Sequence, residues 1–432
     1  MKDTSGGRAF GPVALGAAAL LAVVLIGCTD SYSPEMRYNL RTDPIFTKNS
    51  TKEFNVPDRP GQLPVMTMAR LEDPLYILHD LKGDALNPSA LKPQDRSDLT
   101  NYLDAIFGTP AAPKAEVPAD DPEAGEYQET AAALGLTREE LVKGSALYRL
   151  HCLHCHGLTG DGRGPSAFWV NPHPRDYRLG KYKFVSTSVP QGALQRPRRE
   201  DLYRTIHAGL EGTAMPGFNV LPHDQIQAMV SYVIHLGLRG EVETYAMTQM
   251  LSGVERTETN AEMIVGTYKD FLRNRWEKSQ KELIPDPYPY KTEEEFAASV
   301  QRGFDLFSLP AKETEVNGVK KSGADCLGCH RDYGRLVVFR FDDWATMVRP
   351  ADITVPIYRG GRRPIDLYYR IDNGITGSGM IQSPQLAWTE AQRAAPPAAQ
   401  PKENKIWDLV NFLQVAPYQR MREKYKLNTF IY

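Results

Sequence analysis

The sequence predicts an all-α fold made of two tandem copies of one helical unit, joined by a helical linker and preceded by a loop-rich N-terminal segment. Three observations lead there. "DLYRTIHAGLEGTAM" (201–215) aligns without a gap on "DLYYRIDNGITGSGM" (366–380). Each copy is followed by apolar residues at helical spacing, "QIQAMVSYVIHL" (225–236) and "KIWDLVNFLQVA" (405–416). Upstream, "KGSALY" (143–148) and "RGFDLF" (302–307) each place an aromatic four residues after a glycine, and each leads to a C-x-x-C-H sequence, "CLHCH" (152–156) and "CLGCH" (326–330). The order is the same twice: helix, C-x-x-C-H, loop, D-L-Y helix, glycine-rich loop ending in Met, final helix.

Taken along the chain, residues 1–27 read as a signal peptide. Lys2 and Arg8 give a basic start and an apolar run leads to Cys28. The ending Leu25-Ile26-Gly27-Cys28 resembles the lipobox of bacterial lipoproteins, which implies that Cys28 is acylated and becomes the mature N-terminus. An uncleaved signal anchor is the alternative, and both place the chain outside the cytoplasm, tethered to a membrane. Residues 28–130 are expected to be a spacer or docking segment. Within it, 97–113 reads as one amphipathic helix with Ser97 or Asp98 as N-cap, followed by a Pro/Ala linker. The units themselves span 131–240 and 291–432. Between them, 241–290 is a linker in which 259–283 is helical in pattern and "IPDPYPY" (284–290) breaks the helix.

A net charge of −2 gives no basis for nucleic-acid binding. The five cysteines are Cys28, Cys152, Cys155, Cys326 and Cys329, so two C-x-x-C pairs account for all but the candidate lipid site. Such pairs admit a metal site, a redox-active dithiol or a haem attachment point. C-x-x-C-H reads as c-type haem attachment, with two thioethers and one histidine iron ligand. Two pairs could also build a single four-cysteine zinc site. Zinc, however, calls for neither a histidine directly after each pair nor a methionine at matched positions of a repeat. The sequence therefore predicts two covalently bound c-type haems, on Cys152 and Cys155 with His156, and on Cys326 and Cys329 with His330. Export fits this, because c-type attachment in bacteria takes place on the periplasmic side.

The organisation over 131–240 and 291–432 resembles class I cytochrome c, and "NPHPRDYRLGKYKF" and "GTAMPGF" look like bacterial members of that class. The resemblance implies that His156 and His330 are proximal ligands and that a distant Met is the distal one. Met215 follows His156 by 59 residues and Met380 follows His330 by 50; both end glycine-rich loops that the repeat aligns. Met347 is the weaker alternative in the second unit. No histidine follows His330, so that unit has no second histidine for its own iron. In the first, His173 and His207 are expected at the surface or the haem edge. His151 and His154 sit beside the attachment cysteines, where neither reaches the distal face. The resemblance further implies that first and last helices cross at a glycine against an aromatic, Gly144 and Tyr148 against Tyr232, Gly303 and Phe307 against Phe412. It implies that a proline carbonyl accepts from the proximal histidine, with Pro165 the candidate. The second unit departs here: about 15 extra residues precede its motif, and nothing after His330 resembles the G-x-G-x-G-P loop.

The function these features predict is that of a membrane-anchored dihaem electron carrier rather than an enzyme. It would work with periplasmic redox partners, as a subunit or partner of a respiratory complex such as a quinol-oxidising complex or a terminal oxidase. A His/Met ligand set saturates iron and raises its potential relative to His/His. A dihaem peroxidase-like enzyme is the alternative and would need an open iron position. A thiosulfate-oxidising dihaem enzyme with a cysteine ligand is excluded, because no cysteine is spare.

Overall fold

The computed structural model describes residues 32–46, 53–54, 85–170, 172–188, 195–316, 318–336, 339–344 and 347–427. Cys28 and the apolar run before it lie outside these residues. The described chain is helix-rich, with only small antiparallel sheets of two or three short strands. Among the described residues no helix is long and apolar enough to cross a membrane.

The first half is organised around the crossing of α3 (Arg138–His151) and α6 (His223–Leu251). Thr137 caps α3 by accepting from the Glu140 N–H, and glutamates fill its first turn where the helix dipole favours negative charge. The helices touch at Gly144. A Cβ there would fall 2.1 Å from the Ala228 carbonyl oxygen, so only glycine allows this approach. One turn on, Tyr148 packs on Tyr232 with ring centroids 5.2 Å apart, as the i, i+4 spacing requires. The second half repeats the device. Helix α8 (Glu293–Ser308) crosses α11 (Lys405–Val415), a Cβ at Gly303 would meet the Asp408 carbonyl oxygen at 2.0 Å, and Phe307 packs on Phe412 at 5.4 Å.

The helices between these pairs also match. In α5 (Arg199–Ala208) and α10 (Pro364–Asn373), the third helical residue is an aspartate that accepts from the N-cap backbone, Asp201 from the Arg198 N–H at 3.1 Å and Asp366 from the Arg363 N–H at 3.2 Å. The extra residues of the second half form a hairpin, Thr314–Val316 against Val319–Lys321, so the insertion leaves the crossing undisturbed.

Four expectations are corrected. The N-terminal helix α1 starts at Pro93 and runs to Phe107, with Lys92 as N-cap rather than Ser97 or Asp98; proline at the first helical position has its φ already set and gives up an N–H that would go unpaired. This helix does not stand apart as a spacer: Leu99, Leu103, Ile106 and Phe107 are fully buried in the same core as Tyr148 and Tyr232, and the Phe107 carbonyl is 3.0 Å from His235 Nε2. The expected boundary at 240/241 falls inside the continuous helix α6. The linker likewise packs into the first core. α7 (Asn260–Asp270) is capped by Thr259 and Glu262, continues as a π-helical turn Phe271–Glu277, and buries Ile264, Tyr268, Leu272 and Trp276.

The two halves meet along one polar seam. Asn373 donates to the carbonyls of Val185 and Thr187 and faces the Gln195 amide at 3.1 Å. Leu283 donates to the Ser186 carbonyl at 2.8 Å.

Candidate haem-attachment sites

Each C-x-x-C-H forms a single helical turn, α4 (Leu153–His156) and α9 (Cys326–Cys329). In the first, Cys155, His156 and Gly157 donate back to the carbonyls of Cys152 and Leu153, which puts both sulfurs and the imidazole on one short scaffold. The Tyr148 hydroxyl donates to the Gly157 carbonyl at 2.8 Å and ties the end of this turn to the helix crossing. In the second, His330 donates to the Cys326 carbonyl at 2.8 Å.

His156 Nδ1 lies 3.1 Å from the Arg175 carbonyl oxygen, and its ring stacks on Tyr177 at 4.9 Å. A carbonyl only accepts, so Nδ1 carries the proton. Burial pushes this imidazole down to about 4, and it is neutral at ordinary pH. A neutral ring protonated on Nδ1 presents an unprotonated Nε2, the form needed of an iron ligand. His330 repeats the arrangement: Nδ1 is 2.9 Å from the Ala351 carbonyl, and burial again lowers its pKa. The orienting carbonyl in the first half is thus Arg175 and not Pro165, because the chain returns over the ring about 19 residues after the histidine. The second half, which showed no such partner in sequence, supplies Ala351. Both carbonyls sit in a Pro-x-Asp stretch, Pro174-Arg175-Asp176 and Pro350-Ala351-Asp352. Each aspartate accepts from the backbone N–H two residues on, Arg178 and Thr354. That short echo is the trace the two share in the sequence, and by itself it does not say that either carbonyl meets a histidine.

The methionine loops match bond for bond. In the first, Leu210 donates to the Met215 carbonyl at 3.2 Å, and the Thr213 N–H and hydroxyl both donate to the Leu210 carbonyl, the hydroxyl at 2.7 Å. In the second, Ile375 donates to the Met380 carbonyl at 3.0 Å, Ser378 closes on Ile375, and its hydroxyl caps at 2.8 Å. The helices enter these loops through Gly209 and Gly374, at φ 70° and 69°. Met215 packs at the border of the first core, beside which Cys152 and Leu153 also lie. Met347 lies in a short strand paired with Phe341.

The surroundings of the thiols bear on the remaining readings. A redox-active dithiol needs a lowered thiol pKa. Burial instead pushes both Cys152 and Cys326 up to about 12. Among the described residues no cluster of three or more His, Cys, Asp or Glu side chains is arranged to hold a metal ion, so the two cysteine pairs do not converge on one zinc. Neutral thiols in a helical turn, followed by an imidazole oriented through Nδ1, fit covalent haem.

The other histidines are placed elsewhere. His154 is exposed, His151 packs on Phe218, and His207 stacks on Tyr203, whose hydroxyl is 3.0 Å from His223 Nδ1.

Residues 139–233 match the family of cytochrome c oxidase, cbb3-type, subunit III. No curated protein matches the chain. A solved structure, the Kuenenia stuttgartiensis reducing HAO-like protein complex Kustc0457/Kustc0458, is 20% identical and covers 64% of this chain and 96% of its own, with a TM-score of 0.39; at that score the likeness carries no argument. The family match falls on the first C-x-x-C-H and its Met loop. The match covers about a fifth of the chain and supports a c-type cytochrome domain, with covalent haem and electron transfer, in the first half.

Proposed function

We propose that the chain is a membrane-anchored dihaem cytochrome c, built of two tandem class I cytochrome c domains, that carries electrons on the periplasmic side of a bacterial membrane. The single observation behind this is the duplication of the whole ligand apparatus: histidine to carbonyl through Nδ1, and Met at the end of an identically bonded loop, in both halves. Cys152 and Cys155, and Cys326 and Cys329, would hold the two haems; His156 with Met215, and His330 with Met380, would ligate the irons.

Haem, once bound, supplies a one-electron couple. The protein's part is to saturate the iron, orient the imidazole and exclude water. The Arg175 and Ala351 carbonyls fix ring orientation and basicity, and with them the potential. With His156 and Met215, and His330 and Met380, each pair holding one iron, no place would be left for substrate, and the haems would supply outer-sphere electron transfer to a periplasmic redox partner. A respiratory complex, quinol-oxidising or terminal oxidase, is the partner class this reading favours. Cys28 provides the lipid anchor. Cys28→Ser should release the protein from the membrane with both haems spectrally normal.

The optical spectrum of the oxidised protein tests the carrier reading against a peroxidase-like enzyme. A carrier shows the methionine–iron charge-transfer band at the red edge with an intensity that counts two haems. A high-spin signal from one haem would mark an open iron position and favour the enzyme.

A further inference from the structure

We infer that Trp344, a residue of the second half, is a positioning residue for His156 in the first. The inference rests on the haem reading above only for the first site. Trp344 comes from the loop between His330 and Pro350, yet its indole N–H donates to the Asp176 carbonyl at 3.0 Å. The guanidinium of Arg175 lies over its ring, 3.5 Å from the centroid. The Arg175 carbonyl is the one that accepts from His156 Nδ1. One indole therefore holds both residues flanking the peptide that follows that carbonyl, one through its π face and the other through its N–H.

The loop carrying Trp344 is itself fixed from both sides. Lys181 pairs with Asp343 at 2.5 Å, and Lys183 pairs with Asp342 at 2.9 Å, two contacts across the seam that are half-buried or better. On its other side the ring rests on Gly377, where a Cβ would fall 2.5 Å from Cζ3, and Asp343 donates to the Gly377 carbonyl at 2.9 Å. Gly377 belongs to the loop ending in Met380. Trp344 thus stands as a shared wall between the proximal side of the first site and the methionine loop of the second. A cation stacked on an indole and a half-buried carbonyl–indole bond are both stronger when partly shielded from water, which suits a rigid wall.

The consequence is local to His156. With Trp344 in place, the Arg175 carbonyl is held on Nδ1, the imidazole is a stronger donor, and the ferric state is favoured. Without it the carbonyl loosens and the midpoint potential of the first haem rises.

The test uses the full-length reduced holoprotein with histidine labelled in nitrogen-15. The Nδ1–H of His156 is identified by its proximity to the Tyr177 ring, and its exchange with solvent is followed alongside that of His330. Trp344→Ala should speed exchange at His156 by roughly two- to tenfold, the worth of one loosened hydrogen bond, leave His330 unchanged, and raise one midpoint potential. Trp344→Phe keeps a ring under Arg175 but loses the bond to Asp176, and should give an intermediate rate. Wild-type exchange at His156 in Trp344→Phe and Trp344→Ala, or equal acceleration at both histidines, would overturn the inference. Absence of a second haem would sink the dihaem reading while leaving this measurement on His156 in place.

Discussion

The backbone N–H of Ile375 donates to the carbonyl of Met380 at 3.0 Å, closing the loop that brings this methionine back against the end of its helix. Leu210 and Met215 stand in the same relation. A core-filling methionine has no need of a fixed backbone, since its flexible thioether adapts to its surroundings. A ligand does.

Replacing Met380 by Ala should therefore open the iron of the second half and give a high-spin, ligand-binding haem. Met380→His should keep it low-spin and lower its potential, because His/His ligation lacks the thioether that favours ferrous iron. Met347→Ala should do neither. Loss of the charge-transfer band in Met347→Ala with retention in Met380→Ala would move the ligand to the Met347 strand.

The helix crossings predict a stability effect. Gly144→Ala and Gly303→Ala each drive a methyl into a backbone carbonyl, at 2.1 Å and 2.0 Å. Backbone on a packed helix cannot yield cheaply, so each should cost about 2–3 kcal/mol. Thermal unfolding of either variant at wild-type temperature would show that the crossings can spread.

Asp372 offers a pH signature. Burial raises its carboxyl to about 6, with Asp286 adding to the shift and Arg393 opposing it. The folded protein then holds this proton more tightly than the unfolded chain, whose value is about 3.9. The contribution of Asp372 to stability is therefore greatest at low pH, falls as pH rises between about 4 and 6, and is flat above. Asp372→Asn should be more stable than wild type at pH 7, by roughly 1–3 kcal/mol, with the difference vanishing near pH 4. Denaturant midpoints across that range measure it; a constant difference would show that Asp372 keeps an ordinary carboxyl.

Much of this site was legible in the amino-acid sequence because it is written in side chains. Gly144 and Tyr148, Gly303 and Phe307, and the methionine loops all carry residue types that the repeat places in register. The orienting carbonyls were not legible. A backbone oxygen has no residue signature, and Arg175 and Ala351 reach their histidines only because the chain folds back over some 20 residues of loop. The role of α1 was hidden for a different reason. Leu99, Leu103 and Ile106 form a clear apolar stripe, but the stripe does not say that its partners are α6 and α7, more than a hundred residues away. Trp344 is the extreme case, since its partners Arg175 and Asp176 belong to the other half.

The central claim is that each half holds one covalent haem. The intact mass of the denatured protein, produced in a host that matures c-type cytochromes, tests it most directly. The account predicts a chain carrying two haems, with one lost when Cys326 and Cys329 are replaced and the one at Cys152 and Cys155 retained. A wild-type chain that carries a single haem, or none, would contradict it.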